Sequence, residues 1–311
     1  MKVAVLGGDG FLGSHMVDQL YTLGHDITVF DRFPLGETKN LKHLKGKVSF
    51  VKGEFGNIET LKEVFEGVDV AYHFISCTNP ATSWNNPLFE VEENLLHSLR
   101  CFEVAVKMGV KKIVFPSSGG TVYGKQTSIN SENTLPNPFN PYGITKLSTE
   151  YFLNYFKEHS NLNYDVYRIS NPFGPRQPMD QPQGVIAVWM KSILEEKELK
   201  VYGDAKTVRD YVYIKDVSYL MTHSLKDLHS SGTFNIGSGK GVSILELLDV
   251  FKKVIDKPFT YELSDKRNFD NSSAILDSTK LLGEFKGFTL QNIEEKIKET
   301  WHYVQKHYQK S

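Results

Sequence analysis

The chain has 311 residues, 40% of them hydrophobic and 23% charged, with a formal net charge of −1. That length buries a large core and suits one large domain or two closely joined ones, and the near-neutral charge gives no electrostatic case for nucleic acid or an anionic membrane as partner. Two cysteines, Cys77 and Cys101, make neither a disulfide framework nor a zinc pattern, which fits small core residues in a reducing cytoplasm. No apolar run approaches the ~20 residues of a membrane span, and the amino terminus reads as a strand, not a signal peptide.

Val3 to Leu6 reads as a buried parallel strand that runs into Gly7-Gly8-Asp9-Gly10-Phe11-Leu12-Gly13. Glycines at three-residue spacing let a tight turn bring backbone N–H groups close to a pyrophosphate at a helix start, which makes the segment a dinucleotide cradle. Leu12 to Leu23 follows as a helix closed by Gly24, and Asp26 to Phe30 as a second strand ending in Asp31. An acid about 20 residues beyond the glycines is positioned to accept from the adenosine ribose hydroxyls and to repel a 2′-phosphate. That favours NAD over NADP, although Arg32 beside it is able to receive such a phosphate.

Strands and helices then alternate through Val48–Lys52, Ile58–Phe65, Val68–Ile75, Glu92–Met108 and Lys112–Pro116. Alternation at this spacing argues an α/β fold, a doubly wound parallel sheet with helices on both faces. The basic stretch Lys39–Lys47 reads as a solvated face. Glu54, in Gly53-Glu54-Phe55 at a strand end, is within reach of an adenine amino group, and the backbone of His73-Phe74-Ile75-Ser76 borders the pyrophosphate, with His73 as a structural hydrogen-bonder. Thr78–Pro87 reads as a loop over the cofactor edge, and Asn94 as the opening of the next helix, reaching the nicotinamide-side ribose. Residues 143–157 form an aromatic-rich striped helix, either core or a partner face that pairs across a dimer axis. A strand at Val166–Ile169 leads to Asn171-Pro172-Phe173-Gly174-Pro175, after which the composition changes. This divides the chain into a cofactor domain, 1–171, to which later segments return, and a smaller interleaved lobe, 172–311.

Tyr142-Gly143-Ile144-Thr145-Lys146 puts a phenol and an ammonium at i and i+4, one turn apart on one helix face. A positive charge there, with the positive ring of NAD⁺ close by, is expected to lower the phenol pKa and make phenolate available near neutral pH.

These features together resemble the extended short-chain dehydrogenase/reductase superfamily, specifically nucleotide-sugar epimerases and dehydratases of the UDP-galactose 4-epimerase type. The resemblance rests on the glycine turn, Asp31, Ser117-Ser118-Gly119-Gly120-Thr121-Val122-Tyr123-Gly124, Pro141-Tyr142-Gly143-x-x-Lys146, Asn171-Pro172-Phe173-Gly174-Pro175, Gly184-Val185-Ile186, Arg209-Asp210-Tyr211, Phe234-Asn235-Ile236-Gly237 and Arg267-x-x-Asp270, in that order. It implies a Rossmann-type sheet with a smaller α/β substrate lobe, NAD as a retained cofactor and a UDP-hexose as substrate. Tyr142 removes the 4-hydroxyl proton, hydride leaves C4, and after the 4-keto sugar turns over hydride returns to the other face.

The cofactor residues so implied are Gly7, Gly10, Phe11, Leu12, Gly13, Asp31, Arg32, Glu54, Phe55, Phe74, Ile75, Ser76, Asn94, Ser117 and Pro172, with Tyr142 and Lys146. On the substrate side Arg209 and Arg267 clamp the diphosphate, Asn171 donates from the side, Val185 and Ile186 lie near the base, Tyr202 stacks on it, and Asp270 completes the motif with Arg267. One departure concerns the hydroxyl four residues before Tyr123, which is Gly119 here. Ser118 or Thr121 replaces it, or a water does, or the reaction runs without it. A 4,6-dehydratase usually has an acid pair in this segment, where Gly120 and Thr121 stand; dehydratase, 4-ketosugar reductase and a silent NAD-sensing scaffold are the alternatives. Ala274 aligns with a gate position that is small where N-acetylated sugars are accepted.

Overall fold

The computed structural model describes residues 1–308 except 35, 126–127, 181–183, 203–204, 206 and 265–273. In the first half β1 (Lys2–Leu6), α1 (Phe11–Thr22), β2 (Asp26–Asp31), β3 (Ser49–Lys52), α2 (Ile58–Phe65) and β4 (Val70–His73) follow one another. Two short helices come next, α3 (Pro80–Trp84) and α4 (Pro87–Glu90), then a π-helical turn, Val91–Leu96, that leads into α5 (His97–Lys107). After these come β5 (Lys112–Ser118), α6 (Pro141–Ser160) and β6 (Asn163–Ile169). The second half adds β7 (Asn171–Phe173), α7 (Val185–Leu194), β8 (Leu199–Tyr202), β9 (Val208–Tyr213), α8 (Ile214–Leu220), β10 (Gly232–Ile236), β11 (Gly241–Ser243), α9 (Ile244–Val254), β12 (Tyr261–Ser264), α10 (Thr279–Leu282) and α11 (Ile293–His307).

Seven strands form one sheet in the order β10-β6-β5-β4-β1-β2-β3, parallel throughout. The order reverses between β1 and β4, so the loops leaving these neighbours diverge and open a crevice at the carboxyl ends of the strands. Side chains of a strand alternate between faces, and β1 feeds two cores accordingly. Val3 and Val5 pack with Met16, Val17 and Leu20 of α1, whereas Ala4 and Leu6 pack with Leu61 and Phe65 of α2, Phe102 of α5 and Leu153 of α6.

The smaller lobe holds a three-stranded sheet, β11-β9-β7, and a parallel pair, β12-β8. Its chain does not stay there. β10 adds to the edge of the large sheet against β6, and α8 packs on α1. Residues after 172 therefore serve both lobes.

Three expectations are corrected. Thr78–Pro87 is largely helical, because each proline sits at the first position of a helix, where no backbone donor is lost; Asn79 caps α3 by accepting from Ala81 and Thr82 at 3.0 Å each. Asn94 lies inside the π-helical turn and opens no helix. Cys77 is exposed in the turn after β4, whereas Cys101 is buried. Lys42 and Lys45, in the basic stretch, pair with Glu37 at 3.6 and 2.6 Å on the surface.

Candidate active site

The glycine turn closes the end of β1. Gly7 has φ +73°, a region that L side chains avoid, and a Cβ there would lie 3.0 Å from the Ile75 backbone nitrogen. At Gly13 a Cβ would lie 2.2 Å from the Gly7 carbonyl, so α1 starts this close to the strand only with glycine. Gly10 caps α1 without a side-chain hydrogen bond, and the first turn has no acid. Its amides and positive dipole end are left for an anion, which fits the pyrophosphate of a dinucleotide.

Gly7, Gly10, Phe11, Leu12 and Gly13 line a cleft that continues past Phe74 and Ser76 to Ser117, Ser118 and Thr121, and to Tyr142 and Lys146. Asn140 caps α6 by accepting from Gly143 at 2.7 Å, and Pro141 is its first residue, so Tyr142 enters at the helix start with Lys146 one turn on. The Lys146 ammonium donates to the Pro116 carbonyl at 2.9 Å and lies 4.5 Å from the ring centre of Phe115 and 5.6 Å from that of Tyr142.

The expected lowering of the phenol pKa does not follow from these residues. Burial pushes the Tyr142 phenol well above its ordinary value and the Glu90 carboxylate adds to this, while a hydrogen bond with Ser76 opposes them. Lys146 is itself lowered to about 8 by burial, against Glu90 and Glu150, which hold its charge. In a poorly solvated wall the neutral form of each group gains, and an ammonium already bonded to a carbonyl does not offset that for its neighbour.

Behind the wall runs a buried polar chain. Ser117 donates its hydroxyl to Glu150, which pairs with Arg168 (Nη2 to Oε2, 2.6 Å); Arg168 Nη1 donates to the Tyr123 hydroxyl at 3.1 Å, and that hydroxyl donates to Asn235 at 2.7 Å. Ser117 thus lines the cleft with its hydroxyl hydrogen turned inward. His73, also buried below, shares a 2.8 Å hydrogen bond with Ser98, and burial and then the Lys146 charge lower its pKa to about 3. His15, bonded to the Pro175 carbonyl at 2.9 Å, is lowered to about 4, chiefly by burial. For both, the unfolded chain binds a proton that the native state refuses, so stability falls as pH drops below the unfolded value of roughly 6.5. Urea unfolding at pH 7 and pH 5 is expected to show a loss of about 2 kcal/mol from His73 alone; a flat profile would exclude neutral burial of these rings.

The missing hydroxyl at Gly119 has a packing cause. A Cβ there would lie 2.4 Å from Leu276 Cδ1, so this position faces the core rather than the cleft, while Ser118 and Thr121 line the cleft. Thr121 Oγ1 is buried and has no hydrogen-bond partner among the described residues. Gly119→Ser is expected to destabilise the fold by 1–3 kcal/mol through overpacking, roughly, without raising activity; a stable, faster variant would show that the serine reaches the substrate.

At the far end Asn171, Pro172, Val185, Ile186, Tyr202 and Arg209 line the same cleft. Arg209 Nη1 donates to the Val208 carbonyl at 3.0 Å, and Asn171 donates one amide hydrogen to the Asp210 carbonyl at 2.9 Å. Arg267 and Asp270 lie outside the described residues, and Ala274 is buried and not part of the wall.

Six other expected residues are not in this wall. The Asp31 carboxylate accepts from the backbone N–H groups of Asp9 (3.0 Å) and Arg32 (2.8 Å) and stiffens the glycine turn; burial raises its pKa. Arg32 and Glu54 are exposed nearby. Phe55 packs in the core, its ring centre 4.9 Å from that of His73, and Ile75 packs beside it. Asn94 accepts from the Cys77 N–H at 2.9 Å and donates to Thr78 at 3.0 Å, which shapes the loop after β4. Sequence reasoning missed Thr78, Asn79, Ser170 and Tyr211, which line the cleft. Position at the end of a sheet strand was the available signal for Ser170, after β6.

The family model described as "NAD dependent epimerase/dehydratase family" matches residues 3–237. A UDP-glucose 4-epimerase of Lacticaseibacillus casei is 30% identical, covering 99% of this chain and 98% of its own. The crystal structure of a UDP-glucose 4-epimerase with UDP-glucose from Thermotoga maritima superposes with a TM-score of 0.91 at 32% identity, over 98% of this chain and 99% of that one. That of a Thermus thermophilus UDP-glucose 4-epimerase in complex with NAD gives 0.91 at 28% identity, over 99% and 100%.

Proposed function

Because the chain belongs to the NAD-dependent epimerase/dehydratase family, we propose that it inverts C4 of a nucleotide-activated hexose, with UDP-glucose and UDP-galactose, or their N-acetyl forms, as the exchanged pair. The observation that carries this reading is a phenol and an ammonium one helical turn apart in the wall of the cleft that the glycine turn enters. Gly7, Gly10, Gly13 and the first amides of α1 hold the pyrophosphate of NAD, and Asp31 keeps lone pairs for its ribose beyond those that take Asp9 and Arg32. When bound, NAD supplies a reversible hydride acceptor.

Tyr142 takes the 4-hydroxyl proton and later returns it, as a symmetric oxidation and reduction requires of one acid–base group. Lys146, with donors left beyond Pro116, stabilises the phenolate as it forms, and Ser118 or Thr121 orients the 4-hydroxyl. Arg209 clamps the diphosphate, Asn171 donates from the side, Val185 and Ile186 border the base and Tyr202 stacks on it. Binding energy then resides in the nucleotide, and the sugar stays free to turn.

Among the described residues that line the cleft there is no carboxylate, which favours epimerisation over a dehydratase needing an acid to expel the 6-hydroxyl. Exposed Ile144, Tyr151, Phe152 and Tyr155 on α6 support a homodimer through paired helices. The test is incubation with UDP-, GDP-, CDP- and dTDP-hexoses, followed by NMR and mass spectrometry. A new C4 epimer of unchanged mass is the expected result. Loss of water would make it a dehydratase, and net reduction with cofactor release a reductase.

A further inference from the structure

The proposed reaction needs Lys146 charged in a wall that water scarcely reaches. The residue is 8% exposed, and an ammonium buried without adequate partners sheds its proton. One of its three N–H bonds goes to the Pro116 carbonyl at 2.9 Å. Glu150, one turn further along α6, is held by Arg168 and Ser117 instead.

What meets the ammonium besides that carbonyl is a ring. On β5, Ile113 and Phe115 turn to the face that α6 covers and Val114 to the other, so Phe115 lies buried beneath the helix that carries Lys146. The Lys146 nitrogen stands over the Phe115 ring, 4.5 Å from its centre, against 5.6 Å for the Tyr142 ring. A cation this close lies in the field of the ring's negative face, and the attraction is largest where water is excluded. His73 of β4 flanks Phe115, with ring centres 5.7 Å apart.

The charged and titratable groups around Lys146 come from three elements. Tyr142 and Glu150 face it from α6, Glu90 from the end of α4 and His73 from β4. The two carboxylates favour its charge, but among the described residues neither forms an ion pair with it. His73, neutral down to about pH 3, adds no repulsion near neutrality.

We propose that Phe115 is a positioning residue for Lys146: its ring face, together with the Pro116 carbonyl, holds the buried ammonium in place and keeps it charged, with a donor left for groups in the cleft. This rests on Lys146 stabilising the Tyr142 phenolate in the proposed reaction. Any apolar side chain of this size would fill the core here; only an aromatic face adds the attraction.

The experiment separates the ring's charge distribution from its shape. Mono-, di- and trifluorinated phenylalanines are placed at position 115 of the full chain, purified with its cofactor. NMR of lysine isotopically labelled at Cε then follows the titration of Lys146, whose resonance is assigned by its loss in Lys146→Met. Fluorine draws electron density from the ring face and weakens its hold on the ammonium, so the charged form loses. The Lys146 midpoint, about 8 in the native protein, is expected to fall with each fluorine. The fall across the series is about one pH unit, and Phe115→Leu should show at least as much. If the trifluorinated ring is not accommodated, the two lighter forms decide by their order. A midpoint that stays fixed across the series overturns the proposal, as does one that moves only in Phe115→Leu, which would make packing the cause. Full turnover by Lys146→Met overturns the reading on which the proposal rests, and the titration series still decides what the ring does to the ammonium.

Discussion

Tyr142→Phe is expected to lower turnover of the nucleotide sugar by at least about 10³-fold, within the range for loss of a positioned acid–base group, while the protein still purifies with its cofactor. The change removes one oxygen from a side chain whose ring borders the cleft, so packing at the start of α6 and the Lys146–Pro116 bond persist. The size follows from the environment. With the phenol pushed up by burial, little phenolate forms unless positive charge is brought to it, and no other described group in the cleft wall is a carboxylate or imidazole able to take over. Steady-state rates with the matched sugar pair, beside absorbance of the bound cofactor, check both parts. Undiminished turnover would remove Tyr142 from the chemistry.

Glu150→Ala is expected to cost about 3–5 kcal/mol of stability, because it leaves the buried Arg168 guanidinium without its carboxylate. Burial opposes the charge on Arg168, but Glu150 and Tyr123 outweigh it and raise its pKa. Exposure of the two side chains is 7% and 6%, so water cannot replace the lost partner. Glu150→Gln retains an acceptor for Ser117 and Arg168 and should lose less. Urea unfolding with an unchanged m-value measures the difference; a midpoint within error of wild type for Glu150→Ala would mean that the pair is not sealed from solvent.

Much of the cleft was readable in the sequence. Gly7, Gly10 and Gly13 announced a close approach of strand and helix because their spacing is local, and Tyr142 and Lys146 shared a face because one helical turn requires it. Arg209 and Tyr202 were reached only through resemblance, since nothing in their neighbourhoods signals a phosphate or a base. The directions of the Asn94 and Phe55 side chains were not legible for a different reason: they depend on partners well separated in sequence, Cys77 and Thr78 for one, His73 for the other.

The amino-acid order by itself determined the alternating elements, the glycine cradle, the phenol–ammonium spacing and hence the family, because each depends on residues a turn or a strand apart. Only the tertiary structure decided which hydroxyls face the cleft and that burial raises the Tyr142 phenol. Those properties arise from exclusion of water and from side chains such as Leu276 arriving from distant parts of the chain.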